Sequence, residues 1–203
     1  EKAASIDNNI QISLDINLQK YIQEIFTGKS GAVVVMDVNN GELLASASFP
    51  EFDNNIFARG ISVKEWNEMR NDFNHPFTNK IINGLYPPGS VIKMGVALSF
   101  LDNGIGDNYN VNCSGSLTIG NRNFRCWKST GHGSVNFRKA IAESCDDFFY
   151  KGSLKLGINK ISQTLGKLGF GESTGIDQIN EFVGVNPNKE WKEKKYKIGR
   201  AHV

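Results

Sequence analysis

The chain has 203 residues, 39% of them hydrophobic and 22% charged, a balance that supports a buried core and excludes disordered or low-complexity classes. Lys and Arg number 23 against 21 Asp and Glu, a formal net charge of +2, so no strong field recruits nucleic acid or an anionic membrane. No stretch approaches the ~20 apolar residues of a membrane span, and the first residues lack the pattern of a signal peptide.

The chain opens at Glu1 without a Met, and residues 1–11 read as the end of a linker, with a membrane anchor expected upstream. Ile16 to Phe26 has helical spacing, with Ile16, Leu18, Tyr21, Ile22 and Ile25 on one face. Ala32 to Asp37 and Leu43 to Ser48 read as antiparallel strands joined at Asn39-Asn40-Gly41, whose residues accept positive φ. From Glu51 to Leu85 the chain is polar and irregular, with a short helix near Val63 to Met69. A helix is expected over Ser90 to Leu101, and further helices at about Asn136 to Glu143, Asp147 to Leu156 and Asn159 to Leu168. Lys192 to Lys197 reads as an exposed helix face, and Ile198 to Val203, which interrupts it, as a non-native scar. The order predicts an α+β fold over residues 12–197, a hairpin and a helical block with later strands of the sheet missing.

The stretch Leu85-Tyr-Pro-Pro-Gly-Ser90-Val-Ile-Lys93 puts a serine and a lysine one helical turn apart in an apolar run. With Val91, Ile92, Met94, Val96, Ala97, Leu98, Phe100 and Leu101 around it, Lys93 is expected to be buried, and burial favours its neutral, basic amine. Ser90 is then a candidate nucleophile, Lys93 its base, and the free N–H groups of the helix start favour developing negative charge. The competing reading makes Ser90 a simple N-cap; it leaves the lysine unexplained, because capping boxes carry Glu or Gln at that position. Ser144-Cys-Asp146 falls between two predicted helices and offers a second hydroxyl; here the competing reading makes Asp146 a helix cap.

Together with Gly31-Ala-Val-Val-Val-Met-Asp37 and Gly169-Phe-Gly-Glu-Ser-Thr-Gly-Ile-Asp177, these motifs resemble, in order, those of the elongation-type class B penicillin-binding proteins. The resemblance runs from about Ile12 to Tyr196. It implies a penicillin-binding transpeptidase or serine beta-lactamase-like fold and a serine D,D-transpeptidase that cross-links peptidoglycan stem peptides. Ser90 would attack the penultimate D-Ala carbonyl, Lys93 would take its proton, Ser144 would relay that proton to the leaving nitrogen, and beta-lactams would acylate Ser90. It further implies the periplasmic face of the bacterial inner membrane, an N-terminal anchor and cell-wall elongation partners. Asp146 stands where most relatives have Asn, and as an acceptor-only group it cannot donate to a substrate carbonyl. The family's Lys-Thr-Gly motif does not occur in the sequence, so the chain by itself is expected to be inactive. A serine beta-lactamase and a non-catalytic beta-lactam sensor or zinc-stabilised module remain as rivals.

All 3 cysteines lie between Cys113 and Cys145. With His132 they make Cys113, Cys126, His132 and Cys145, three thiolates and one imidazole, a closed set suited to structural zinc. Gly131 and Gly133 leave the backbone free to turn the ring inward. The absence of Cys-x-x-Cys excludes nucleic-acid fingers, and the alternative is a Cys113–Cys126 disulfide with Cys145 free. The resemblance favours zinc, since members of the elongation-type subgroup are similar in carrying a zinc site at these positions. Arg125, Lys128, Arg138 and Lys139 read as a solvated rim, Trp66, Trp127 and Trp191 as packing residues, and His75 as a loop residue.

Overall fold

The computed structural model describes residues 10–196; most of the expected linker, and the expected scar with His202, lie outside the described residues. The described residues form two compact units, one of residues 10–85 and 177–182, the other of residues 86–176 and 183–196.

The first unit begins with α1 (Ile16–Phe26), and its bounds match the expected helix. The Asp15 carboxylate accepts the N–H groups of Asn17 and Leu18, a side-chain cap that fixes the start. β1 (Gly31–Met36) and β2 (Leu43–Phe49) pair antiparallel, with a register shift between Val35 and Met36. The connecting turn is set by the Asp37 carboxylate, which accepts the Asn39 N–H at 2.8 Å, and by Gly41 at φ +81°. Ile22, Ala45, Ala47 and Phe49 form a small core with Leu18 and Phe26, and the rings of Phe26 and Phe49 stack at 4.8 Å. Gln19 reaches the free edge of β2, donating to the Ser46 carbonyl and accepting the Ser46 N–H, so one side chain closes one rung of an edge strand. Beyond it come α2 (Asn55–Ala58), which the sequence did not announce, and α3 (Val63–Arg70), opened by a Ser62–Glu65 capping box. Trp66 packs 5.2 Å from Phe77.

In the second unit a 3-10 turn (Gly89–Ile92) leads into α4 (Lys93–Asp102). Then come β3 (Val111–Cys113), β4 (Ser116–Ile119), β5 (Arg122–Arg125) and β6 (Gly133–Val135), paired antiparallel as β3 with β6 and β4 with β5. α5 (Phe137–Ala142), α6 (Asp146–Leu156), α7 (Ile158–Lys167) and α8 (Lys189–Tyr196) complete it. The helical block therefore contains four short strands that were not anticipated; they are three or four residues long, and β5, Arg-Asn-Phe-Arg, has no buried face to betray it.

Phe100, Phe148, Phe149, Phe137, Val135, Ile161 and Leu165 anchor a core that takes in all three cysteines. α6 approaches α4 closely because Gly152 has no side chain: a Cβ there would lie 2.5 Å from the Phe100 ring. The expectation of a helix buried on most sides is corrected. α4 buries Gly95, Ala97, Ser99 and Phe100, while its Met94, Leu98 and Leu101, and Val91 in the turn before it, are exposed. An all-round apolar pattern cannot state which face finds a partner.

Candidate active site and metal cluster

Ser90 lies in the 3-10 turn and is exposed; among the described residues its hydroxyl makes no hydrogen bond. It caps nothing, since the residue before α4 is Ile92 and no side chain closes that end, so the capping reading fails. The structure does not bring the Ser90 hydroxyl into a hydrogen bond with Lys93.

Lys93 instead reaches across to the segment before α6. Its Nζ donates to the Ser144 carbonyl at 2.8 Å, to Ser144 Oγ at 3.0 Å and to Asp146 Oδ1 at 2.5 Å. The amine has three acceptors around it, and the side chains of the Lys93–Asp146 pair are only 14% and 19% exposed. Lys93 is thus not a lone amine: its burial is compensated by a carboxylate that spacing alone could not reveal. Asp146 is not a cap either, because its other oxygen, Oδ2, accepts the backbone N–H of Trp127 at 2.9 Å. Ser144 has φ +49°, a left-handed conformation that costs a non-glycine residue about 1–3 kcal/mol and marks a site the surroundings hold in place.

Cys113 ends β3, Cys126 follows β5, His132 precedes β6 and Cys145 precedes α6, so the ends of four elements converge. Their candidate ligand atoms lie within 4.8 Å of one another and all four residues are buried, a cluster able to hold a metal ion. His132 Nδ1 stands 3.5 Å from the sulfurs of both Cys113 and Cys126. The three thiols are free, so the disulfide alternative is not what the structure contains. Gly131, at φ +76°, permits the crossing, since a Cβ there would collide with the Cys113 carbonyl. Burial, reinforced by the nearby sulfur of Cys113, pushes the Cys145 thiol up to about 12.

Three residues around the cluster went unrecognised in the sequence. Glu143 brings a carboxylate oxygen to 3.8 Å from His132 Nε2, a buried atom with no hydrogen bond among the described residues. Lys139, expected on a solvated rim, donates to the carbonyls of His132 and Ser134 and braces the loop. Trp127, expected to pack, is 66% exposed; its indole N–H donates to the Glu143 carbonyl at 2.9 Å. Nothing in their types or spacing marked them, because each acts through a contact set by the fold. A mainly apolar cavity of about 810 Å³ in the same unit, lined by Ile92, Val96, Phe124, Tyr150 and Leu154 among others, includes none of Ser90, Lys93, Ser144 and Asp146.

Among the described residues no helix is long and apolar enough to cross a membrane. The penicillin binding protein transpeptidase domain matches residues 31–201. The peptidoglycan D,D-transpeptidase MrdA of Escherichia coli strain K12 is 40% identical over 193 residues, which cover 94% of this chain and 30% of that protein. The penicillin-binding protein PBP2 of Helicobacter pylori superposes with a TM-score of 0.88 at 47% identity, over 96% of this chain and 37% of that one. PBP2 in its complex with MreC from Helicobacter pylori gives a TM-score of 0.85 at 48% identity, over 91% of this chain and 35% of that one. The chain thus spans about a third of the length of these relatives. Its fold is part of the penicillin-binding transpeptidase fold, and the chain belongs to the penicillin-binding protein transpeptidase family.

Proposed function

We propose that the chain supplies the nucleophile-bearing part of a peptidoglycan D,D-transpeptidase of the elongation type, with Ser90 as acyl carrier. The Ser90 oxygen bonds to the penultimate D-Ala carbonyl carbon of a stem peptide, and the bond from that carbon to the terminal D-Ala nitrogen breaks. The proton leaves Ser90 through Lys93 and reaches the departing nitrogen through Ser144, whose Oγ is 3.0 Å from Lys93 Nζ. For Lys93 to accept it, the carboxylate of Asp146, its hydrogen-bonded neighbour, holds the amine's own proton during the step. An amine from a second strand then resolves the ester. Beta-lactams acylate Ser90 as substrate mimics. The observation that carries this reading is the Lys93 nitrogen held by Ser144 and Asp146, which joins the two sequence motifs in one hydrogen-bonded group.

The same reading makes the cluster a structural zinc site held by Cys113, Cys126, His132 and Cys145. Bonds of about 2.3 Å to sulfur and about 2.0 Å to nitrogen in a tetrahedron separate a sulfur and a nitrogen ligand by roughly 3.5 Å. The sulfurs of Cys113 and Cys126 each lie 3.5 Å from Nδ1, which supports the fit. Bound there, zinc would supply cross-linking through these four residues and no chemistry of its own. The reading extends to the periplasmic face of the inner membrane and, from the Helicobacter pylori complex of PBP2 with MreC, to a cell-elongation partner of that kind.

The test is penicillin labelling of the full-length protein followed by mass spectrometry of the adduct. A single long-lived penicilloyl group on Ser90, absent in Ser90→Ala, is expected. An adduct elsewhere, or rapid turnover of the penicillin, would overturn the reading.

A further inference from the structure

We infer that Trp127 is a positioning residue, a clasp that closes over the Ser144 turn and ties the Cys/His cluster to Lys93; this rests on the acyl-serine reading above. The indole N–H of Trp127 grips the carbonyl of Glu143, and its backbone N–H grips Oδ2 of Asp146, both at 2.9 Å. One residue therefore holds the turn on both sides of Ser144 and Cys145. Those two face different neighbours: Ser144 Oγ meets Lys93 Nζ, and Cys145 joins the cluster.

The clasp has two physical consequences. A carboxylate bonded through one oxygen only can rotate; with Oδ2 pinned by Trp127, Oδ1 stays on Lys93 Nζ. The left-handed φ of Ser144 also needs external restraint, and bonds to the residues on either side of it supply that restraint. Burial does not explain the indole's position, because the residue is 66% exposed. The ring instead stands edge-on to His132, 5.2 Å between centroids, and Trp127 follows Cys126 directly, so movement of either cluster residue moves the clasp.

The experiment compares the full-length protein with Trp127→Phe, which keeps the ring and removes the indole donor, with Asp146→Asn, and with the double variant. Trp127→Phe is expected to lower the limiting rate of penicillin acylation by roughly tenfold, a loss of about 1.4 kcal/mol in the transition state. The apparent dissociation constant of the non-covalent penicillin complex and the zinc content should not change. In the Asp146→Asn background the effect should largely vanish, since the indole bond to Glu143 acts by holding the Trp127 backbone amide on Asp146. An unchanged limiting rate, an equal loss in both backgrounds, or a loss of zinc accompanying the slower rate would overturn the clasp. Hydrogen exchange at the Trp127 indole gives a reading independent of acylation: protection of on the order of 100-fold over free tryptophan is expected despite exposure. Exchange at the free rate would overturn the clasp. If the wild type forms no adduct at all, the acyl-serine reading fails, and indole exchange alone decides whether Trp127 clasps the turn.

Discussion

The two units differ in what their side chains are asked to hold. In the first, four buried residues sit between α1 and one face of a hairpin, and the order around them comes from local contacts such as the Asp15 cap, the Asp37 turn and the Ser62 capping box. In the second, fourteen buried residues form a core that includes the three cysteines of a cluster drawn from residues up to 32 positions apart, and Lys93 finds its carboxylate 53 positions away. Local contacts can be altered one at a time at small cost, whereas a convergent core fails at any of its contributors. The difference explains why every residue assigned to chemistry lies in the second unit, where the fold can fix groups that the chain does not bring together itself.

The sharpest way to break the contrast is to remove a cluster ligand. Cys113→Ser is expected to lose stoichiometric metal and a large part of the on the order of 10 kcal/mol that structural zinc supplies, read as lost zinc and a collapsed unfolding midpoint. The same binding should weaken as pH falls. The Cys145 thiol, raised to about 12 by burial, keeps its proton at neutral pH until a metal displaces it, so proton release on zinc addition checks the sign. In the metal-free protein the sign reverses: the folded state holds that proton more tightly than an unfolded thiol near 9.0, so this contribution is present below pH 9 and is lost as pH rises towards 12.

A smaller effect is expected from Gly152→Ala, whose methyl group meets the Phe100 ring. The crowding should cost about 1–3 kcal/mol in denaturant unfolding, against a helix-propensity gain of about 1 kcal/mol. Glu143→Gln should weaken zinc binding by roughly 10–100-fold in chelator competition, as the carboxylate facing His132 Nε2 orients the ring. An unchanged affinity would leave Glu143 with only its carbonyl bond to Trp127. Smallest is Ser62→Ala, which removes a cap worth about 1 kcal/mol from the first unit and should leave penicillin labelling untouched. A change in labelling would show that the contrast between local and convergent order is too simple.

What the sequence made legible follows the same division. α1, the hairpin turn and α3 are written in neighbouring residues, so their bounds were readable to within a residue or so. The four cluster residues were readable for another reason: every thiol lay in one stretch with a histidine among them. The exposed face of α4, the pairing of Lys93 with Asp146 and the reach of Trp127 were not, since each depends on which distant surface arrives beside it. Strands as short as Val111–Cys113 carry too few residues for alternation to register.

Ser144, Cys145 and Asp146 are consecutive, and each side chain is committed: Ser144 to the amine of Lys93, Cys145 to the sulfur and imidazole cluster, and Asp146 to both the Lys93 amine and the Trp127 amide. Three adjoining side chains, all committed at once, leave no slack in chain length. A single inserted or deleted residue would hand every assignment to the wrong partner at once, so this turn can vary among descendants by exchanging residues but not by growing or shrinking.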